Sequence, residues 1–224
     1  MVIPELEDIR GFHQRNSYHR YDVLEHCIRA MEAVETTPEN REYMKLMALL
    51  HDVGKPSTFT LDEDGIGHFY GHAGEGDRIC RAILQRLRSD GFTRDRICYL
   101  VHYHDLVFEE DDRLLKRWMS RHGTEVLLEI LDFKKADNIA TGNVTEELLD
   151  KFNRIKRRIM EIEKEGDCLR VKDLAVNGKD LMDAGVTPGP AVGGMLEKLL
   201  YAVLDGKVEN DRAKLLEYLD RPEP

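Results

Sequence analysis

The chain has 224 residues, 42% of them hydrophobic, and sets 33 Lys and Arg against 43 Asp and Glu for a formal net charge of -10. That apolar share supports a packed core and argues against a disordered chain, and the negative balance argues against a surface that clings everywhere to nucleic acid, because phosphate binding relies on Lys and Arg. No apolar run approaches the roughly 20 residues that span a bilayer, and Met1 to Arg10 has no leader-like basic or apolar region, so a cytoplasmic protein without a membrane partner is expected.

Helical periodicity dominates and period-two alternation is nearly missing, which makes the fold class all-α. A first helix is predicted over about Tyr21 to Val34, with Val23, Cys27, Ala30 and Val34 on one stripe and Pro38 beyond it. A second covers Arg41 to Asp52, with Tyr43, Met47 and Leu50 inward and Gly54 and Pro56 ending it. Asp62 to Gly67 has turn chemistry and reads as a loop. A helix follows Gly71-His72 up to Ser89-Asp90-Gly91, and Thr93 is the expected N-cap of the next, which carries Ile97, Leu100 and Val101. Helices are then expected at Asp112 to Arg121, Thr124 to Ala140 and Thr145 to Glu165. Beyond Gly166 the texture changes to a short helix after Asn177, a Thr187-Pro188-Gly189-Pro190 turn, and helices at Ala191 to Leu204 and Asp211 to Leu219. Two domains are therefore expected, 1-165 and a small C-terminal helical subdomain, 166-224. Cys27, Cys80, Cys98 and Cys168 form no C-x-x-C pair and read as free thiols.

Several polar residues stand out against this pattern. Asp137 falls inside the apolar stripe of its helix, after Val126, Ile130 and Phe133, and a carboxylate aimed at a core is costly unless paired with a cation or bound to metal. His51 and Asp52 end a helix, where both can reach one ion off the terminus. His26 lies beside the stripe of its helix, and an ordinary hydrogen-bonded core histidine is the competing reading. His104 continues the stripe of Ile97, Leu100 and Val101, whereas His102 points away. His72 starts a helix, where backbone N–H groups favour anions. Lys55, three residues past Asp52, can meet a phosphate oxygen. Arg154, Lys156, Arg157 and Arg158 form the clearest basic patch, a candidate RNA contact whose competing reading is a solvated helix face.

The order His26, His51-Asp52, His72, His104, Asp137 resembles the HD superfamily of metal-dependent phosphohydrolases, which are α-helical. Within it the chain is similar to the HD and C-terminal portion of bacterial tRNA nucleotidyltransferases, the CCA-adding enzymes. The similarity lies in Asn16-Ser17-Tyr18-His19, Tyr21 to His26, Ala48 to Pro56, Gly67 to His72, Tyr103-His104-Asp105 and Ala136-Asp137. It extends through Leu174 to Leu181, the Thr187 to Pro190 turn and Val203 to Gly206. Nothing in the chain resembles the nucleotidyltransferase head of those enzymes, so CCA addition is not expected of it alone; it is a stand-alone relative or a part of something larger.

The resemblance implies an HD-domain helical bundle in which His26, His51, Asp52 and Asp137 hold one divalent metal: Mn, Ni, Co or Fe, with Mg a further candidate. It further implies that Asp52 orients the nucleophile, that Lys55 neutralises developing charge, and that His72 and His104 bind a second ion or the phosphate. The implied activity is hydrolysis of phosphomonoesters or 2′,3′-cyclic phosphodiesters of nucleotides or RNA ends. The alternative is a non-catalytic body that grips tRNA-like RNA through the basic cluster.

Overall fold

The computed structural model describes residues 2–15 and 20–219. Asn16 to His19, one of the similar stretches, lie outside the described residues. Within those limits the chain is all-α except for one small hairpin, and it divides into two compact units: Met1–Phe108 with Leu128–Asn153, and Glu109–Leu127 with Arg154–Pro224. A boundary at 165/166 does not match this division. Composition changes at Gly166, but the second unit also recruits an earlier helix that no change of texture marks.

In the first unit, α1 (Leu6–Ile9) is followed by α2 (Val23–Ala33), where the Asp22 side chain accepts from the Glu25 N–H and caps the helix. α3 (Arg41–Leu50) buries Met44, Met47, Ala48 and Leu50. Tyr43 is only half-buried, so the inward stripe starts one residue later than its sequence suggests. α4 (Lys55–Thr58) is a single turn with Pro at its start, and β1 (Thr60–Leu61) and β2 (Gly67–His68) pair antiparallel on either side of the stretch expected to be a loop.

α5 (His72–Arg86) and α6 (Gly91–Tyr103) pack side by side, and the cap of α6 is Asp90, which accepts from Thr93 N, rather than Thr93 itself. Part of α8 (Thr124–Ala140) completes the unit with buried Ile130, Phe133, Ala136 and Ala140, followed by the start of α9 (Glu146–Glu165).

The second unit contains α7 (Asp112–His122), the remainder of α9, α10 (Gly178–Asp183), α11 (Pro190–Leu204) and α12 (Arg212–Leu219). Asn177 caps α10 in a reciprocal box with Asp180. Ile155, Ile159, Ile162, Leu199 and Leu215 are among its buried side chains, with Leu115 and Met119 of α7. Cys27, Cys80, Cys98 and Cys168 are free.

Candidate metal centre

Helical phase turns two histidines into the interior of the first unit. His26 shares the buried face of α2 with Val23 and Ala30. Met44, Met47, Ala48 and His51 follow i, i+3, i+4, i+7, so the imidazole at the C-terminus of α3 continues that helix's apolar stripe. Asp52 lies in the next turn, which is pressed against the start of α5: a Cβ on Gly54 would stand 2.3 Å from the His72 carbonyl oxygen and 2.6 Å from Gly76 N. Only glycine lets the turn approach so closely, and that approach brings His51-Asp52 and His72 together.

His51 Nδ1 is 2.8 Å from the Ala48 carbonyl oxygen. A carbonyl can only accept, so Nδ1 carries a proton and Nε2 of the neutral ring presents a lone pair. That atom is 3.1 Å from Asp52 Oδ2 and 3.6 Å from Asp137 Oδ1. His51 Nε2 and both Asp52 oxygens are buried without a well-formed hydrogen bond. Acceptors cannot face one another in a dry interior, so a proton or a cation must lie between them. Burial works against charge on His51, but Asp52 outweighs it and holds the imidazole well above its usual pKa. Burial likewise works against the Asp52 carboxylate, and His51 and Lys55 hold it well below the usual range.

Asp137 Oδ1 is 2.9 Å from His26 Nε2, and its other oxygen is 3.3 Å from Lys134 Nζ. Burial opposes the Asp137 charge, but His26 and Lys134 overcome it and keep the group ionised far below the ordinary carboxylate range. Asp52 faces two ways. Oδ2 is 3.7 Å from His26 Nε2, while Oδ1 is 3.5 Å from His72 Nε2 and 3.8 Å from His104 Nε2. Donor atoms of His26, His51 and Asp137 all lie within 4.8 Å of one another, as do those of Asp52, His72 and His104. Imidazoles and carboxylates in such groups suit a borderline divalent transition metal, and the orphaned lone pairs fit one.

Asp52, His72, His104 and Asp137 open into a cavity of about 740 Å³ lined also by Gln14, Lys55, Phe69, Asp105, Lys134 and Asn138. Lys55 Nζ is 2.6 Å from Asp52 Oδ2 and donates to Gln14 Oε1 at 2.7 Å. Lys134 also contacts Asp105 Oδ1 at 3.0 Å; burial lowers its pKa, but Asp137 and Asp105 more than restore it, so the ammonium stays charged.

A model of tRNA nucleotidyltransferase domain 2 (putative) matches residues 66–219. The chain belongs to that family. Among similar proteins are the A-adding tRNA nucleotidyltransferase of Deinococcus radiodurans, 32% identical over 93% of this chain and 48% of the relative, and the CC-adding tRNA nucleotidyltransferase of Thermus thermophilus, 34% identical over 96% and 49%. A bifunctional uridylyltransferase/uridylyl-removing enzyme of Streptomyces coelicolor is 30% identical over 63% of this chain and 17% of its own. This member of the tRNA nucleotidyltransferase domain 2 family spans about half the length of the first two relatives.

Of the six residues picked out by sequence, Asp52, His72, His104 and Asp137 line the cavity of this family member, while His26 and His51 are not part of its lining but contact Asp137 and Asp52. His104 is 1% exposed. Burial lowers its pKa to about 4. His102 instead leans outward, 3.4 Å from Asp77. Lys134, Asp105 and Gln14, which also line the cavity, are not among the site residues that the sequence nominates. Lys134 carries a signal, since it precedes Asp137 by one helical turn, and Asp105 directly follows His104, but Gln14 is placed by tertiary packing alone.

The basic cluster lies apart from this pocket in the sequence, at the start of the second unit's share of α9, and its charges are engaged. Arg154 grips Glu110 at 2.7 Å, and Arg158 holds Asp112 at 2.7 Å and Glu165 at 2.8 Å. Arg157 lines a small cavity with those pairs, and Lys156 is half-buried. Among the described residues no helix is long and apolar enough to cross a membrane.

Proposed function

We propose that the chain is a metal-dependent phosphohydrolase of the HD type, with His26, His51, Asp52 and Asp137 as ligands of one divalent metal and His72 and His104 serving a second ion or the substrate phosphate. One observation carries this reading: His51 commits Nδ1 to a backbone carbonyl and turns Nε2 toward two carboxylates, the buried Asp52 and the partly buried Asp137. Two imidazoles and a carboxylate whose donor atoms all lie within 4.8 Å of one another suit a divalent ion. When bound, the ion acidifies a water and polarises the phosphoryl group.

The chain's own residues supply the rest. Asp52, with an oxygen toward each histidine pair, orients the attacking water. Lys55, held by Gln14 and Asp52, faces the charge that grows on phosphoryl oxygens. The cavity of about 740 Å³ suits a nucleotide or an RNA end. A relative named for uridylyl removal supports phosphoester cleavage on a similar chain.

The second reading is a non-catalytic body that binds tRNA or similar RNA. Family membership and two relatives named as tRNA nucleotidyltransferases favour it more directly than they favour hydrolysis. The paired state of Arg154 and Arg158 weakens the contact first expected for it. One experiment separates the two. Purified protein is assayed for bound metal, for turnover of 2′,3′-cyclic AMP and a chromogenic phosphodiester with added Mn²⁺, and for tRNA binding. Metal with turnover supports the hydrolase; tRNA binding with neither metal nor turnover overturns it.

A further inference from the structure

Lys134 is one turn before Asp137 on α8, and its ammonium spans two carboxylates of the cavity, Asp105 Oδ1 at 3.0 Å and Asp137 Oδ2 at 3.3 Å. An ammonium has three N–H donors in a tetrahedral array, so two contacts leave a third direction for a further acceptor. The next residue shows what an ordinary lysine does here: Lys135 turns away to bond Glu35 at 2.7 Å and Asn153 at 3.3 Å. Lys134 is about one-fifth exposed and lines the cavity instead.

Charge on the cavity wall gives that position a purpose. Its lining holds three carboxylates, Asp52, Asp105 and Asp137, against two ammonium groups, Lys55 and Lys134, with no other formally charged side chain besides histidines. The wall is therefore net negative and repels a phosphate until a divalent cation reverses the sign. With the cation present, removing Lys134 would return the wall to neutrality. Lys55 is tied to Asp52 and Gln14, and Lys134 to Asp105 and Asp137, so the two ammonium groups approach the cavity from different carboxylates.

We propose that Lys134 is a phosphate-binding residue, held toward the cavity by Asp105 and directing its remaining N–H at a non-bridging phosphate oxygen. This rests on the metal-centre reading above and adds to it a side chain that the resemblance did not assign. Asp105 acts through Lys134 as a positioning residue.

The test uses inorganic phosphate as the probe, titrated by calorimetry into the full chain with its Mn²⁺ content measured in the same sample. Parent protein is compared with Lys134→Met, Lys134→Arg and Lys135→Met. Loss of a charge-assisted hydrogen bond should weaken phosphate binding by about tenfold or more in Lys134→Met. Lys134→Arg should recover part of that, and Lys135→Met, which removes the same charge from a different face, should stay within about twofold because only a screened long-range effect remains. If Lys134 only supports Asp137, Lys134→Met will lose Mn²⁺ or melt earlier while its metal-filled fraction binds phosphate like the parent, which overturns the proposal. Equal losses in Lys134→Met and Lys135→Met overturn it also, as does parent protein that takes up Mn²⁺ but no phosphate. Parent protein that takes up no Mn²⁺ at all defeats the metal-centre reading itself, a distinct outcome.

Discussion

His72 Nε2 and His104 Nε2 face one another at 3.2 Å. Each ring's Nδ1 is fastened to a backbone carbonyl, His72 to Phe69 at 2.9 Å and His104 to Val101 at 2.6 Å. Both Nδ1 atoms are thus donors, and in the neutral rings two lone pairs meet beside Asp52 and Asp105. Burial makes His104 reluctant to resolve this by protonation, since its pKa is pushed down to about 4. A shared cation, as proposed above, would resolve it. His104→Ala is expected to reduce bound metal or turnover by at least tenfold, while His102→Ala, on an outward side chain, stays within about twofold, the loss of one first-contact ligand being the cause. Elemental analysis and rate measurements check both variants, and equal losses at unchanged stability would contradict the assignment.

The approach of the Gly54 turn to α5 gives a second expectation. Gly54→Ala places a methyl 2.3 Å from the His72 carbonyl oxygen, backbone that cannot rotate away, whereas a Cβ on Gly74 meets nothing within 4 Å. The first substitution should cost about 1–3 kcal/mol and weaken metal uptake, because the turn that carries Asp52 must move. The second should be neutral or stabilise by about 0.5–1 kcal/mol, as Gly to Ala does inside a helix. Urea melts of the two variants decide, and a Gly54→Ala protein as stable as Gly74→Ala would mean that the turn has room to relax.

These positions also show what a single sequence can reveal. Asp137 and His104 were legible because a polar side chain interrupts an apolar stripe whose phase a helix makes readable. His51 was recognised as a neighbour of Asp52, although its stronger signal, the run from Met44 through Met47 and Ala48, was obscured by assigning Tyr43 to the core. Tyr43 in fact reaches Glu129, which also takes Arg96 at 2.8 Å. Partners brought together from α3, α6 and α8 leave no periodic trace. The hairpin escaped notice because two-residue strands are too short for alternation, and its Asp62 to Gly67 signal reads equally as a loop.

Stability should fall with acid through His122, which lies at the end of α7 and is 7% exposed. Burial first, and Arg121 second, lower its pKa to about 4. The unfolded chain, with a histidine near pKa ~6.5, binds the proton first, so this contribution is fully present above that value and is lost as pH falls toward 4. The loss amounts to roughly 3.4 kcal/mol at most, on the scale of 1.36 kcal/mol per unit. His122→Gln should flatten the stability profile between those limits. Denaturant titrations at pH 7 and pH 5 measure it, and an unchanged difference between the two pH values would show that His122 is not the group responsible.

The ion pairs of Arg154 and Arg158 bear on the RNA-binding alternative. A free arginine that neutralises one phosphate lowers the logarithmic salt slope of binding by about one when it is removed. Arg154 already holds Glu110, and Arg158 is clamped by Asp112, Glu161 and Glu165, so a phosphate must first displace a carboxylate from either one. Displacement returns a negative charge to the interface and cancels much of the electrostatic gain. The double variant Arg154→Ala, Arg158→Ala is therefore expected to shift the slope for tRNA by clearly less than the ~2 that two free phosphate contacts would give. Stability should change by no more than about 1 kcal/mol per exposed pair. Binding isotherms across a salt series supply the slope. A fall close to two would mean that RNA recruits both arginines away from their acids and that α9 is a nucleic-acid contact after all.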